Sequence, residues 1–160
     1  MRRIVALLLA LGAALTLTGV AGARVLRVGT YHGIRGQYKT IQAAVRAAHP
    51  GDWILLAPGD YKTPPRAVTT PKGHKNLPAA VLITKPRLHI RGMNRNSVIV
   101  DGTKPGSARC SRSGGAQNFG LKVKGAKPSG VNGLMVWKAG SVSIENLTVC
   151  NFLGGSQSAG

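Results

Sequence analysis

The sequence predicts an all-β chain of the solenoid kind, with one short helix near its beginning. Three observations predict it. Only Thr40 to Ala48 shows helical spacing of apolar residues. Apolar runs of three to five residues recur through the remainder, most of them followed by Gly, Asn or Pro. A strand–turn–strand pattern also returns: Leu88-His89-Ile90-Arg91-Gly92 aligns with Val142-Ser143-Ile144-Glu145-Asn146. Recurring units that bury their inner face only against their neighbours are the mark of a solenoid. No second helical pattern separates the strands, which excludes a doubly wound sheet.

Residues 1–23 stand apart from the fold. Met1-Arg2-Arg3 is a charged start, Ile4 to Val20 is almost wholly apolar, and Ala21-Gly22-Ala23 offers the small residues that a signal peptidase reads. The expectation is a cleaved leader and a secreted, cell-surface or periplasmic protein. An uncleaved anchor is the alternative, and the only expected route to a membrane. No cysteine follows the apolar run to carry a lipid. Residues 24–160 then form one domain, with a strand and capping helix in 24–50 and the first coils, carrying long loop insertions, in 51–160.

Val25 to Val28 alternates apolar and basic residues and reads as a short strand, and Tyr31 to Gln37 reads as a loop. Thr40 can cap the helix with its hydroxyl. Ile41, Ala44, Val45 and Ala48 follow at i, i+3, i+4 and i+7 and make one apolar face, while Gln42 and Arg46 point away from it. Pro50 stops the helix after about two turns. So short a helix is unstable alone in water and must lie on something. The next run, Trp53 to Ala57, reads as a strand buried on both sides. Further strands are expected at 80–84, 88–91, 98–101, 121–123, 134–137, 142–145 and 147–150. Two insertions interrupt them, a proline-rich one over 62–78 and a Gly-, Ser- and Lys-rich one over 102–130.

The 160 residues carry 22 Lys or Arg against four carboxylates, Asp52, Asp60, Asp101 and Glu145, for a net charge of +18. Loss of residues 1–23 removes two arginines and leaves +16. Such a chain is drawn to polyanions, and acidic polysaccharide or another cell-wall polymer is the expected partner. Nucleic acid is disfavoured, because the bases are dispersed and aromatic residues for base stacking are scarce. Cys110 and Cys150, an even count in an exported chain, pair naturally as one disulfide closing a loop of about 40 residues. Two buried free thiols are the alternative. Neither cysteine has a second Cys or His at ligand spacing, so no metal is expected on them.

The stretch YKTIQAAVRAAHPGDWILLAPGDYK resembles the N-terminal signature of the pectin-lyase-like superfamily. There an amphipathic helix precedes a Pro-Gly-Asp turn, a buried strand and a Pro-Gly-x-Tyr turn. LHIRGMNRNSVIVDG and VSIENLTVCNF resemble later coils of the same family. The resemblance covers about half of the mature chain. It implies a right-handed parallel β-helix whose helix, through Ile41, Ala44, Val45 and Ala48, plugs the first coil. Only two or three coils fit, so the chain reads as the N-terminal portion of a longer β-helix. A small solenoid pairing its last coil with another chain is the alternative.

The family includes polysaccharide lyases, pectinesterases and non-catalytic surface proteins, and each enzymatic branch needs particular residues. A lyase of this kind needs a base and calcium, which wants clustered oxygen ligands. A glycosidase or esterase needs converging aspartates. With four dispersed carboxylates, no complete catalytic site is expected in this segment and no cofactor within it. Calcium would enter only through coils beyond Gly160. Asp52 and Asp101 suit turns, and Glu145 an outward face. Arg91 and Arg95, near Lys85 and Arg87, are the candidate residues for binding a polyuronate. Trp53 and Trp137 are either packed at the core or sugar-stacking platforms. Asn146 suits a turn in which its amide bonds along the stack. The function expected is binding or processing of polysaccharide, with a surface scaffold or adhesin and a lyase or pectinesterase-type enzyme as alternatives. Charge alone favours a third, a wall- or DNA-associated basic protein.

Overall fold

Alternation along the strands builds the core. In the computed structural model, which describes residues 22–118 and 130–152, strands β1 (Val25–Val28), β4 (Trp53–Leu56), β7 (His89–Gly92) and β10 (Ser143–Glu145) form a four-stranded parallel sheet in the order β1-β4-β7-β10. Its register places Leu26, Ile54, Ile90 and Ile144 in one inward row. Successive side chains on a strand point to opposite faces, so the residues between them point outward. Trp53 and Leu55 are therefore only partly buried, which corrects the expectation that Trp53–Ala57 is buried on both sides.

Strands β5 (Gly59–Lys62), β8 (Val98–Asp101) and β11 (Thr148–Cys150) make a three-stranded parallel sheet, with β8 in the middle. Strands β6 (Ala79–Ile83) and β9 (Asn132–Val136) pair in parallel, and β2 (Thr30–Tyr31) and β3 (Ile34–Arg35) form a small antiparallel hairpin. The chain visits the three parallel sheets in the same order twice and begins a third pass with β10 and β11. Parallel neighbours need such long crossovers.

This arrangement overturns the expected all-β, right-handed parallel β-helix. The sheets are separate hydrogen-bonded groups of four, three, two and two strands, and they do not close into one solenoid among the described residues. With its helix, the unit is a small α/β fold. The physical reason is that the links between sheets carry no continuous ladder. Residues 63–78 hold a 3-10 turn, Pro65–Ala67, and an isolated antiparallel bridge from Thr69 to Ala79, but no strand before β6 begins. The expected strand at 121–123 lies outside the described residues, as does the leader except for Gly22 and Ala23.

Helix α1 (Ile41–Ala47) starts at Thr40, whose Oγ1 accepts the Ala43 N–H at 3.2 Å. It ends where Ala48 turns extended, two residues before Pro50. Ile41, Ala44, Val45 and Ala48 are buried in one apolar cluster with Leu26, Val28, Ile54, Leu56, Val81, Ile83 and Ile90. The helix packs on β6, β1 and β4. Gln42 does not point away, as the periodicity had it. Its Oε1 accepts the Leu82 N–H at 2.7 Å and its Nε2 donates to the Leu82 carbonyl at 3.3 Å, so it completes backbone groups of β6. Lys85 Nζ donates to the Arg46 and Ala48 carbonyls at the other end of the helix, where cations are favoured.

Candidate functional site

Among the described residues, two groups of charged or aromatic side chains stand out. The first is the outward face of the four-stranded sheet. Its register aligns Val25, Trp53, His89 and Ser143 in one row and Arg27, Leu55, Arg91 and Glu145 in the next. Strands about 4.8 Å apart set flat rings at stacking distance, and the Trp53 and His89 rings lie 4.4 Å apart with planes only 12° from parallel. His89 Nδ1 is 2.9 Å from Ser143 Oγ, which fixes the imidazole along the row. Arg91 and Glu145 form a long, exposed ion pair of 3.7 Å, and such pairs contribute little. Arg27 makes no ion pair among the described residues.

At the β1 end of this face lies a shallow pocket of about 220 Å³ lined by Arg27, Leu55, Tyr31, Ile34 and Met93, among others. Ile34 is 64% exposed, and Tyr31 and Met93 are exposed to about two fifths. The hairpin β2–β3 forms one wall. This hairpin replaces the loop expected over Tyr31 to Gln37, and the sequence carries a signal for it. His32 and Gly33, between Tyr31 and Ile34, both take positive φ (47° and 76°), as a two-residue turn matching the strand twist requires. Arg95 lies elsewhere, exposed in the turn after β7, where its carbonyl accepts the Thr148 hydroxyl at 2.7 Å. Arg91 and Arg95 therefore sit on different elements. Trp137, just after β9, packs against His74.

The second place is buried. Asp101, 0% exposed, accepts Lys62 Nζ at 2.5 Å and the Cys110 N–H at 2.8 Å on Oδ2, and the Thr103 N–H at 2.8 Å on Oδ1. Lys62 Nζ also donates to Thr103 Oγ1 at 2.6 Å and lies 3.2 Å from Asp60 Oδ2. Burial pushes the Asp101 carboxyl up. The Lys62 ammonium and the two backbone N–H groups outweigh it and hold the carboxyl below its usual range. The cysteines pair as a disulfide whose sulfurs lie beside Asp101. Bonded to each other, they offer no thiolate to a metal, and the ammonium between Asp60 and Asp101 stands where a cation would sit. This cluster is built for cohesion. It is a non-local set that the sequence did not announce, since Lys62 and Asp101 lie 39 residues apart.

Asp52 is likewise engaged. It is 3% exposed, its Oδ2 accepts the His49 N–H at 2.7 Å, and Arg24 binds both of its oxygens. The Arg24 hydrogen bond, opposed by burial and helped by the backbone N–H groups, holds its carboxyl well below the usual range. Three of the four carboxylates thus serve internal pairing, and the fourth, Glu145, faces Arg91. No protein-family model, curated protein or solved structure matches this chain. No described helix is long and apolar enough to cross a membrane.

Proposed function

We propose that the chain is an exported binding protein for acidic polysaccharide, held on the outward face of the four-stranded sheet. The observation that carries this reading is the pairing of two adjacent rows: the stacked Trp53 and His89 rings in one, and Arg27 and Arg91 in the other. Residues two apart on a strand are about 7 Å apart. A sugar ring can lie against the aromatic row while its carboxylate reaches a guanidinium. Aromatic rings present apolar area to the C–H face of a sugar, and guanidinium groups bind carboxylates through paired hydrogen bonds. The net charge, +16 once residues 1–23 are lost, concentrates polyanions near the surface. The weak Arg91–Glu145 pair is open to displacement by a ligand carboxylate. Export is supported by the Cys110–Cys150 disulfide, a bond at home in oxidising compartments.

Binding is favoured over catalysis because Asp52 and Asp101 are fully engaged and no pair of carboxylates lies on this sheet face among the described residues. Titration with polygalacturonate, a neutral glucan and double-stranded DNA tests the reading. The expected result is binding of the polyuronate, weakened at least tenfold by Arg91→Ala and by Trp53→Ala. Equal binding of the neutral glucan, or indifference of polyuronate binding to both substitutions, would remove its support. Tighter binding of DNA would replace it with the nucleic-acid reading.

A further inference from the structure

The geometry points to a processing site at the Ala23–Arg24 bond, whose cleavage turns the Arg24 amide nitrogen into an ammonium group seated on the buried Asp52 carboxylate. This rests on the export reading above and goes further, fixing which bond is cut and what the new terminus does. Two cuts suit the small-residue rule. Ala21 and Ala23 satisfy it for a cut after Ala23, and Gly19 and Ala21 satisfy it for a cut after Ala21. The fold distinguishes them. Arg24 N already points at Asp52 Oδ1 at 2.9 Å, while Gly22 and Ala23 are exposed, and among the described residues no hydrogen bond or ion pair places either on the folded body.

The site around that nitrogen is prepared for positive charge. Asp52 is buried under Arg24 and the His49–Asp52 turn, with Arg24 Nε and Nη2 on Oδ2 at 3.1 and 2.6 Å. Arg24 is anchored further by its carbonyl, which accepts the Trp53 N–H at 2.8 Å, and by Nη2, which reaches the Ala47 carbonyl at 3.2 Å. Cleavage adds one water across the peptide bond. The C–N bond breaks, Ala23 leaves with a carboxylate, and Arg24 keeps the amine, which takes a proton. The protease required is a membrane signal peptidase acting during export. A neutral N–H then becomes a charged donor to the same oxygen, and charge-assisted hydrogen bonds are roughly twice as strong as neutral ones. The Arg24 side chain is half exposed, so water screens its repulsion from the new ammonium. Maturation thereby tightens the β1–β4 pairing at the open end of the sheet.

The test expresses the full chain in a secreting bacterium and measures the intact mass of the exported product. Its stability to urea is then compared with the same product carrying an α-acetyl group, and with a form retaining Gly22–Ala23. The expected product begins at Arg24. Its unfolding equilibrium constant should be about fivefold smaller than that of either blocked form at low salt, with the difference shrinking in 1 M salt. In an Asp52→Asn background the difference should vanish. If that variant does not fold, the salt dependence alone decides. A product beginning at another residue, or equal stability of free and blocked forms, would overturn the inference and leave export intact. A chain that stays unprocessed inside the cell would instead overturn export itself.

Discussion

The side-chain amide of Asn146 donates to the carbonyl of Gly92, 54 residues earlier, at 2.7 Å. Asn146 holds this position with φ at 56°, a left-handed conformation that asparagine tolerates better than most residues. A methyl group on Gly92 would run into the Asn146 carbonyl oxygen. Gly92 ends β7 and Asn146 directly follows β10, its neighbour in the four-stranded sheet, so both stand at the same corner. Asn146→Gly should cost about 1 kcal/mol through the lost hydrogen bond. Asn146→Ala should cost about 2–3 kcal/mol, because it adds left-handed strain. Gly92→Ala should cost about 1–3 kcal/mol by overpacking. Urea midpoints of the three variants check the order. A harmless Gly92→Ala would mean that the two strand ends are not in contact.

Asp101 and Lys62 make a second prediction. Lys62 is 11% exposed and its partner is fully buried, and removing one member of a buried pair strands the other charge. Lys62→Met should destabilise the protein by about 3–5 kcal/mol. In Lys62→Met/Asp101→Asn much of that loss should return, since the fully buried charge goes with its partner and only the partly exposed Asp60 is left without its cation. A double-mutant cycle by urea denaturation reads the coupling.

How far was this legible beforehand? Thr40, Pro50 and the spacing of Ile41, Ala44, Val45 and Ala48 are local signals, and the helix bounds follow from them. Most strands also show themselves by alternation. Strand β5 does not, because Gly59-Asp60-Tyr61-Lys62 has no apolar rhythm and is held by partners some 40 residues away. The division into separate sheets was equally hidden, since spacing along one strand says nothing of where a ladder stops. At the candidate site, Arg91 was visible as a basic residue on a strand. Its nearness to Trp53, His89 and Arg27 depends on register across strands from different parts of the chain, and only the fold supplies that.

Acid should unfold the protein through its carboxylates. Asp52 and Asp101 both titrate below their ordinary values in the folded state. A depressed folded value means that the unfolded chain takes up protons first as pH falls. The stabilisation is therefore complete above the unfolded value of about 4 and is lost progressively below it. Stability measured from pH 7 to pH 2 should stay level to about pH 5 and then drop. Asp52→Asn should flatten part of that drop. A decline beginning at pH 6–7 would assign the acid sensitivity to histidine instead.

The Cys110–Cys150 bridge closes a 40-residue separation and also holds the loop that delivers the Cys110 N–H to Asp101. Reduction, or Cys110→Ser/Cys150→Ser, should cost about 2–4 kcal/mol. A reducing agent should lower the melting temperature of the natural protein and leave that of the double variant unchanged. Breaking the bridge should also lessen the penalty of Lys62→Met, since both act on the surroundings of Asp101. Strict additivity of the two would show that the bridge and the buried ion pair are independent.

The outward face offers two kinds of attraction that salt can separate. Guanidinium–carboxylate attraction at an exposed surface weakens as the Debye length falls from about 10 Å at 0.1 M to about 3 Å at 1 M. Contact of a sugar with Trp53 is apolar and does not. Arg27→Ala and Arg91→Ala should therefore lower polyuronate affinity strongly at 0.05 M salt and little at 1 M. Trp53→Ala should lower it by a similar factor at both. His89→Ala should act like Trp53→Ala but more weakly, because the imidazole supports the indole face through the 4.4 Å stack. Isothermal titration of the four variants at the two salt concentrations reads all of these effects. If Trp53→Ala matters only at low salt, the indole does no more than position the cations, and the sugar ring does not lie on it.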